Sequence, residues 1–359
     1  MKILERAVSI FVGVLFIFSG LIKANDPVGM AIKLKEYFHV FSDDFDSFFE
    51  IFIPIALPLA VIICTLEVLF GIALLLSYRK KAVLKALLAM VVFFSFLTFY
   101  SAYFDKVTDC GCFGDAIPLT PWQSFIKDMI LFVGILFLML QKQYLQEAKR
   151  TFVRKIVVYG LTLATLLIAA RSIMYLPFID FRVYKIENNI AQLRKPIEEP
   201  IYQYVMTKDG KEYTFDEYPS DESYEFKTML TLNEDKIYPP ISDYGFENEG
   251  VEYGDESLKG KHLIVVAHNA LDTDIDSYKA INALISTLDK DTKVVAFTAA
   301  DAKNFEALRH ETQLAIPYYF GDEKVLKTIV RSNPGLLLLE DGVVKGKWHY
   351  NAIPKQLPK

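Results

Sequence analysis

Cysteine is scarce in this chain: three thiols in 359 residues, at positions 64, 110 and 112, and none from Phe113 onward. That excludes a disulfide-dense scaffold. Charge is thin as well, with 23% Asp, Glu, Lys and Arg against 52% hydrophobic residues. A typical soluble domain reaches roughly 45–50% apolar only when glycine is counted, so the chain is neither disordered nor collagen-like. The charged half shows no basic face, which argues against nucleic-acid binding. Histidine is sparse, and none of the five (39, 262, 268, 310, 349) lies near the close cysteine pair. Two thiolates with Asp109 and Asp115 make a weak ligand set for a metal. The length allows about two to three domains.

The charge is unevenly placed. Residues 1–176 carry 17 basic and 13 acidic side chains, and residues 177–359 carry 22 and 31. The first half is apolar, and the second reads as a water-soluble acidic domain. Crossing roughly 30 Å of hydrocarbon takes about 20 mostly apolar residues. Five segments qualify as spans: Ile3–Ala24, Ile51–Tyr78, Ala82–Phe104, Trp122–Leu140 and Ile156–Tyr175. Lys and Arg collect on the cytoplasmic side of membrane proteins. With the N-terminus inside, the inner set holds eleven (Lys2, Arg6, Arg79, Lys80, Lys81, Lys85, Lys142, Lys149, Arg150, Arg154, Lys155) and the outer loops five (Lys23, Lys33, Lys35, Lys106, Lys127). Five crossings then put residues 177–359 in the periplasm of a bacterial cell. Gly20-Leu21-Ile22-Lys23 is a poor cleavage site, so the first segment reads as an uncleaved helix rather than a signal peptide. Thr120-Pro121-Trp122-Gln123 has the form of a capping box with proline at the first helical position.

The residues able to carry chemistry are few. Cys110 and Cys112 lie in the loop Asp105–Thr120, which this topology exposes to an oxidising compartment. A bridge between them closes a very small ring, and strained, exposed disulfides are the more reducible ones. Three readings stay open: a redox-active pair, a static disulfide, and a metal or other role. A bridge over so short a loop adds little loop-closure stability. Glu67 reads as the one carboxylate deep in an apolar segment, and ionisable groups at membrane depth are rare and often functional. It is either a proton-handling or ligand-binding group, or a protonated or paired Glu joining two helices. Cys64, three residues earlier on the same helix face, reads as a buried apolar thiol. Arg171 reads as snorkelling toward the outer surface.

The string Phe16-Ile17-Phe18-Ser19-Gly20-Leu21-Ile22-Lys23-Ala24-Asn25-Asp26-Pro27, the Glu67 helix and the loop Cys110-Gly111-Cys112-Phe113-Gly114-Asp115 together resemble the MauE branch of the DoxX-like membrane proteins. The resemblance covers about residues 1–145 and implies a four-helix membrane domain. In the family's namesake setting, methylamine utilization, such a protein is implied in maturing a disulfide-rich dehydrogenase subunit. DoxX-like domains are linked more loosely to quinone-linked oxidation, which makes a quinone the one cofactor to consider.

Residues 146–176 read as a cytoplasmic loop and the fifth transmembrane helix. Residues 177–235 are a β-containing connector, with strands Ile201–Thr207 and Glu212–Phe215 around the turn Lys208-Asp209-Gly210-Lys211. In residues 236–359 the pattern is strand Leu263–Ala267, helix Asp276–Leu288, strand Val294–Phe297, helix Ala302–Gln313, helix Asp322–Val330, then strands Leu336–Leu339 and Val343–Trp348. This order resembles a thioredoxin-like domain, with Asn333-Pro334 where that family places a cis-proline. The family's redox cysteines belong after the first core strand, but here that loop reads His268-Asn269-Ala270-Leu271-Asp272-Thr273. The domain therefore has no thiolate for exchange and reads as a binding or docking module, with His268 an ordinary loop residue.

The expected architecture is an α-helical membrane bundle, with a four-helix DoxX/MauE-like core and a fifth transmembrane helix, followed by an α/β thioredoxin-like domain. Two functions compete. One is an inner-membrane redox or disulfide-maturation accessory in which Cys110 and Cys112 serve an extracytoplasmic thiol client. The other is a non-catalytic scaffold or small-ligand binder with a structural disulfide and a docking domain. The expected partners are the lipid bilayer and, under the first reading, that thiol protein.

Overall fold

The computed structural model describes residues 2–107, 111, 113–141, 151–221, 223–233 and 237–358. The chain forms two units, Met1–Arg182 and Val183–Lys359.

The first unit is helical: α1 (Lys2–Asn25), α2 (Pro27–Asp44), α3 (Ala56–Leu75), α4 (Lys80–Phe104), α5 (Pro121–Leu140) and α6 (Thr151–Met174). Among the described residues, α1, α3, α4, α5 and α6 are long and apolar enough to cross a bilayer. All five sit where hydropathy places spans. The expected start of the second span at Ile51 moves inward to Ala56. Ser47–Phe52 is instead a 3₁₀ turn, with the Asp46 carboxylate accepting from the Phe48 N–H at 2.7 Å. Pro54, which lacks an N–H and disfavours helical conformation before it, separates this turn from α3. The start of α5 is the expected capping box, with both reciprocal bonds present.

Helix α2 is not legible as a span, because charges interrupt its apolar positions. Asp26 caps it through the Gly29 N–H at 2.9 Å, Pro27 opens it, and Ala31, Leu34, Tyr37 and Phe41 form its buried stripe. Its end is tied to α4, where the Tyr100 hydroxyl donates to Asp44 at 2.5 Å and Lys106 pairs with Asp44 at 2.9 Å. These two groups, Tyr100 first, hold the Asp44 carboxyl below its ordinary range.

Helices α1 and α3 approach most closely where they lack side chains. A Cβ on Gly71 would stand 2.7 Å from the Gly13 carbonyl oxygen, and one on Gly20 would stand 2.7 Å from that of Cys64. Small residues let membrane helices pack backbone to backbone. The seam pairs 13 with 71 and 20 with 64, so the two helices run antiparallel. Around it Val12, Phe16, Val68, Ile72, Leu84, Leu87 and Leu131 form the core, while Phe11, Phe93, Ile130 and Leu167 face outward, as lipid-facing residues do.

The second unit holds two sheets. Strands β1 (Tyr202–Lys208), β2 (Lys211–Phe215) and β3 (Glu225–Thr231) form an antiparallel sheet in the order β2-β1-β3. The β1–β2 turn has positive φ at Asp209 and Gly210, the geometry that suits a two-residue hairpin. Strand β3 is not foreseen by pattern, and all but its last residue are exposed.

The larger sheet has the order β10-β9-β6-β7-β8-β4-β5, with β4 (Glu247–Asn248), β5 (Val251–Glu252), β6 (Lys261–Ala267), β7 (Thr292–Thr298), β8 (Tyr318–Phe320), β9 (Gly335–Glu340) and β10 (Val343–His349). Strands β6, β7 and β8 are parallel, whereas β9 runs antiparallel to β6 and β10. Leu263, Val265 and Ala267 of β6 share a core with residues from the helices Tyr278–Ile285 and Ala302–Thr312. Ile264 and Val266, which alternate with them, are also fully buried, so β6 reads as a continuous apolar run rather than an alternating one. Residues 187–190 strap onto the β9–β10 hairpin through the Ile190 N–H to Gly342 carbonyl bond at 2.8 Å and its neighbours.

His262 on β6 is fully buried, with its Nε2 3.2 Å from the Tyr253 hydroxyl. Burial first, and the Lys293 ammonium second, push its pKa below the ordinary 6.5, against the opposing pull of Glu256.

Two outcomes follow from this packing. Gly71→Leu overpacks the seam and should cost about 1–3 kcal/mol, whereas Gly160→Leu, with open space beside it, should leave the detergent melting temperature unchanged. Equal melting temperatures for the two variants would refute the seam. For His262 the unfolded chain takes up a proton before the folded one. Stability of the second unit is therefore full above the ordinary 6.5 and falls as pH drops below it. Pulse proteolysis in urea should show a midpoint that falls with acid in wild type and falls less in His262→Gln.

Candidate functional site

Ionisable side chains inside an apolar bundle need partners. Helical Cα–Cβ bonds tilt toward the helix N-terminus. Because α1 and α3 are antiparallel, the Lys23 side chain leans into the bundle from the end of α1, and Glu67 leans toward it from mid-α3. They meet as an ion pair, with Nζ 2.6 Å from Oε1 and side chains 5% and 2% exposed. Lys23 also donates to Ser19 Oγ at 3.0 Å and stands 4.9 Å above the Phe94 ring. The glycine seam brings the backbones near enough for this contact, since Gly20 lies one turn before Lys23 and packs on Cys64 and Glu67.

A second pair comes from α5. Lys127 Nζ lies 2.8 Å from Asp128 Oδ1, and Thr98 Oγ1 donates to Asp128 Oδ2 at 3.2 Å. Both pairs line one cavity of about 20 Å³ between α1, α3, α4 and α5. Glu67 Oε2 is buried with no hydrogen-bond partner among the described residues. Phe113 stands at this end of the bundle, its ring 5.6 Å from that of Phe18 and under the Lys127 ammonium at 5.2 Å.

Of the residues singled out from sequence, Glu67 is thus paired and cavity-lining. Cys110 and Cys112 lie outside the described residues. Cys64 is fully buried and unbridged, its thiol donating to the Val61 carbonyl at 3.2 Å. Arg171 folds over Tyr175 and reaches the Leu176 carbonyl. Among the described residues no cluster of His, Cys, Asp or Glu is suited to a metal ion. By position in the sequence Lys23 and Lys127 read as outer-loop charges, yet both lie within helices, as does Asp128. The signal that could have found them is the one that found Glu67, a charge inside an apolar segment.

In the second unit, the loop after β6 is pinned to the segment before β9. Asn333 Nδ2 donates to the carbonyls of Asn269 at 2.7 Å and Asp272 at 2.6 Å. The Asn333–Pro334 bond is cis. No thiol is present in this loop.

The fold and site define a multi-pass membrane protein with a buried ion-pair cluster and an α/β domain with a mixed sheet at its C-terminal end. Residues 1–141 match the family model described as methylamine utilisation protein MauE. The chain is also similar to Protein TlpB of Flavobacterium psychrophilum, 30% identical over 202 residues, a match covering 54% of this chain and 51% of that relative. It therefore spans about half the length of the curated relative it matches. No solved structure matches the chain.

Removing one partner of a buried ion pair costs about 3–5 kcal/mol, whereas replacing both by apolar groups is often neutral. Lys23→Met should therefore lower thermal stability in detergent markedly, and Lys23→Met with Glu67→Leu should recover most of the loss. A double variant no more stable than the single one would show that the pair does not couple α1 to α3.

Proposed function

We propose that this protein is a redox accessory of the bacterial inner membrane, in which Cys110 and Cys112 exchange a disulfide with an extracytoplasmic thiol protein. The observation that carries the reading is the position of Phe113. This residue belongs to the Cys-Gly-Cys-Phe-Gly loop, and it is wedged between Phe18 and the Lys127 ammonium beside the buried cluster. The likeness of residues 1–141 to the MauE family supports the same reading.

In the exchange, a client thiolate attacks one sulfur of the Cys110–Cys112 bridge and expels the other as thiolate. The client's second thiolate then resolves the mixed disulfide. The client leaves oxidised by two electrons, and the pair leaves as two thiolates, which become the dithiol by taking up the two protons that the client thiols released on ionising. The same steps run in reverse when the client arrives as the disulfide. A quinone does not fit the buried cluster, because a cavity of about 20 Å³ has room for about one water.

The second unit serves as the docking module. The order β10-β9-β6-β7, with β6 and β7 parallel and β9 and β10 antiparallel, supports a thioredoxin-like reading. The loop between β6 and the helix Tyr278–Ile285 carries no cysteine, so this unit holds a client rather than reacting with it. The excess of Lys and Arg on one set of loops supports a periplasmic place for this unit.

The competing reading, a scaffold with a static disulfide, makes opposite predictions. Cys112→Ser in the full-length membrane protein should trap a client on Cys110, seen as a band on a non-reducing gel that reductant removes. Absence of that band, together with a bridge potential below roughly −300 mV, the range of structural disulfides, would overturn the redox reading.

A further inference from the structure

The small sheet of the second unit carries an aromatic face open to solvent. Directly opposed residues of neighbouring strands share a face. The register pairs Tyr204 with Phe215 and Met229, and Met206 with Tyr213 and Phe226. Tyr218 packs against Tyr204 at 5.4 Å and stacks beside Phe226 at 6.4 Å. Tyr213, Tyr218, Phe226 and Met229 are nonetheless 40–59% exposed. Strand β3 is an edge of this sheet, with no strand on its outer side among the described residues. Its seven residues contain no proline, and a long open edge is a template for another strand.

Charge selects the occupant. Residues 202–231 hold seven carboxylates and three lysines. Two of the lysines are paired inside the sheet, Lys208 with Asp221 at 3.4 Å and Lys227 with Glu212. Lys208 shows how this surface holds an ammonium group. Its Nζ lies 4.5 Å over the Tyr224 ring, beside the Asp221 carboxylate and 2.6 Å from Ser223 Oγ. Tyr218 and Phe226 repeat the rings of that arrangement, and their neighbours in sequence, Glu217 and Glu225, repeat the carboxylates. Among the described residues these two glutamates have no ion-pair partner. Ring faces and carboxylates both attract cations. A second copy of the chain would set the same excess of carboxylates against itself, and an anionic lipid surface would be repelled likewise. We infer that this face and the β3 edge bind a lysine- or arginine-rich segment of a partner protein in extended form. Its backbone pairs with β3, and its alternate side chains lie over Tyr218 and Phe226. That the segment belongs to the thiol client rests on the docking reading above, whereas the surface itself does not.

The test uses the full chain in phosphatidylcholine nanodiscs and the fluorescence anisotropy of a labelled decapeptide of alternating arginine and threonine. This peptide should bind, and more weakly as salt rises. Its glutamate–threonine counterpart should not bind. The arginine peptide N-methylated throughout, which cannot extend a sheet, should bind about tenfold or more weakly. Tyr218→Ser combined with Phe226→Ser should weaken binding about tenfold. Glu217→Gln combined with Glu225→Gln should weaken it about threefold, and this exposed pair decides the matter if the serine variant fails to fold. Equal binding of the acidic or the methylated peptide, or full affinity in the glutamine variant, would overturn the surface. Sedimentation of paired discs that Phe226→Ser separates would give the face to a second copy and overturn it as well. Cys110→Ser combined with Cys112→Ser should bind as wild type, and a loss there would place the peptide at the cysteine loop instead. If Cys112→Ser traps no client while the peptide still binds, the thiol exchange fails and this surface stands.

Discussion

The membrane unit depends on a buried ion pair between Lys23 and Glu67, which exists because α1 and α3 share a glycine seam. In hydrocarbon a lone ammonium or carboxylate is expensive, and opposite charges at 2.6 Å offset that cost for each other. The pair forms only if the backbones come close, and Gly13, Gly20 and Gly71 permit that approach. Helix register, charge placement and cavity are therefore one constraint. Shifting α1 by a residue would turn Lys23 away from Glu67 and leave two uncompensated charges in the bundle core.

From this pair the rest of the membrane unit follows outward. Lys127 and Asp128 place a second neutral charge pair across the cavity, and Thr98 satisfies part of Asp128. Phe113 brings the cysteine-bearing loop's described end to the same place. In water such a cluster would be a set of weak surface pairs. Enclosed by apolar helices, each unmet oxygen becomes consequential, which is why Glu67 Oε2 points to a ligand as small as water.

The C-terminal unit is built on a different principle. Its larger sheet is ordered around β6, which is buried on both faces, and is stapled by the β9–β10 hairpin and by side-chain bonds such as those of Asn333. Much of this is legible in the sequence: the β1–β2 hairpin from Asp209-Gly210, the strand at 263–267 from its apolar run, and the helix around Tyr278–Ile285 from the spacing of Ile281, Leu284 and Ile285. Strand β3 is not, since its exposed face leaves little apolar alternation to read. Likewise α2 is hidden because its buried stripe is interleaved with charge.

Local pattern along the chain supplies the inventory: five apolar spans, one close cysteine pair, a carboxylate at membrane depth, and a strand–helix alternation without thiols. Span length and hydropathy are local properties, so a linear reading suffices for them. Helix packing sets the partners. Lys23 and Lys127 look like loop charges in a one-dimensional count, and only helix packing turns them inward. Which charge meets which, and whether an oxygen is left over, depends on how the helices cross, and no local pattern encodes that.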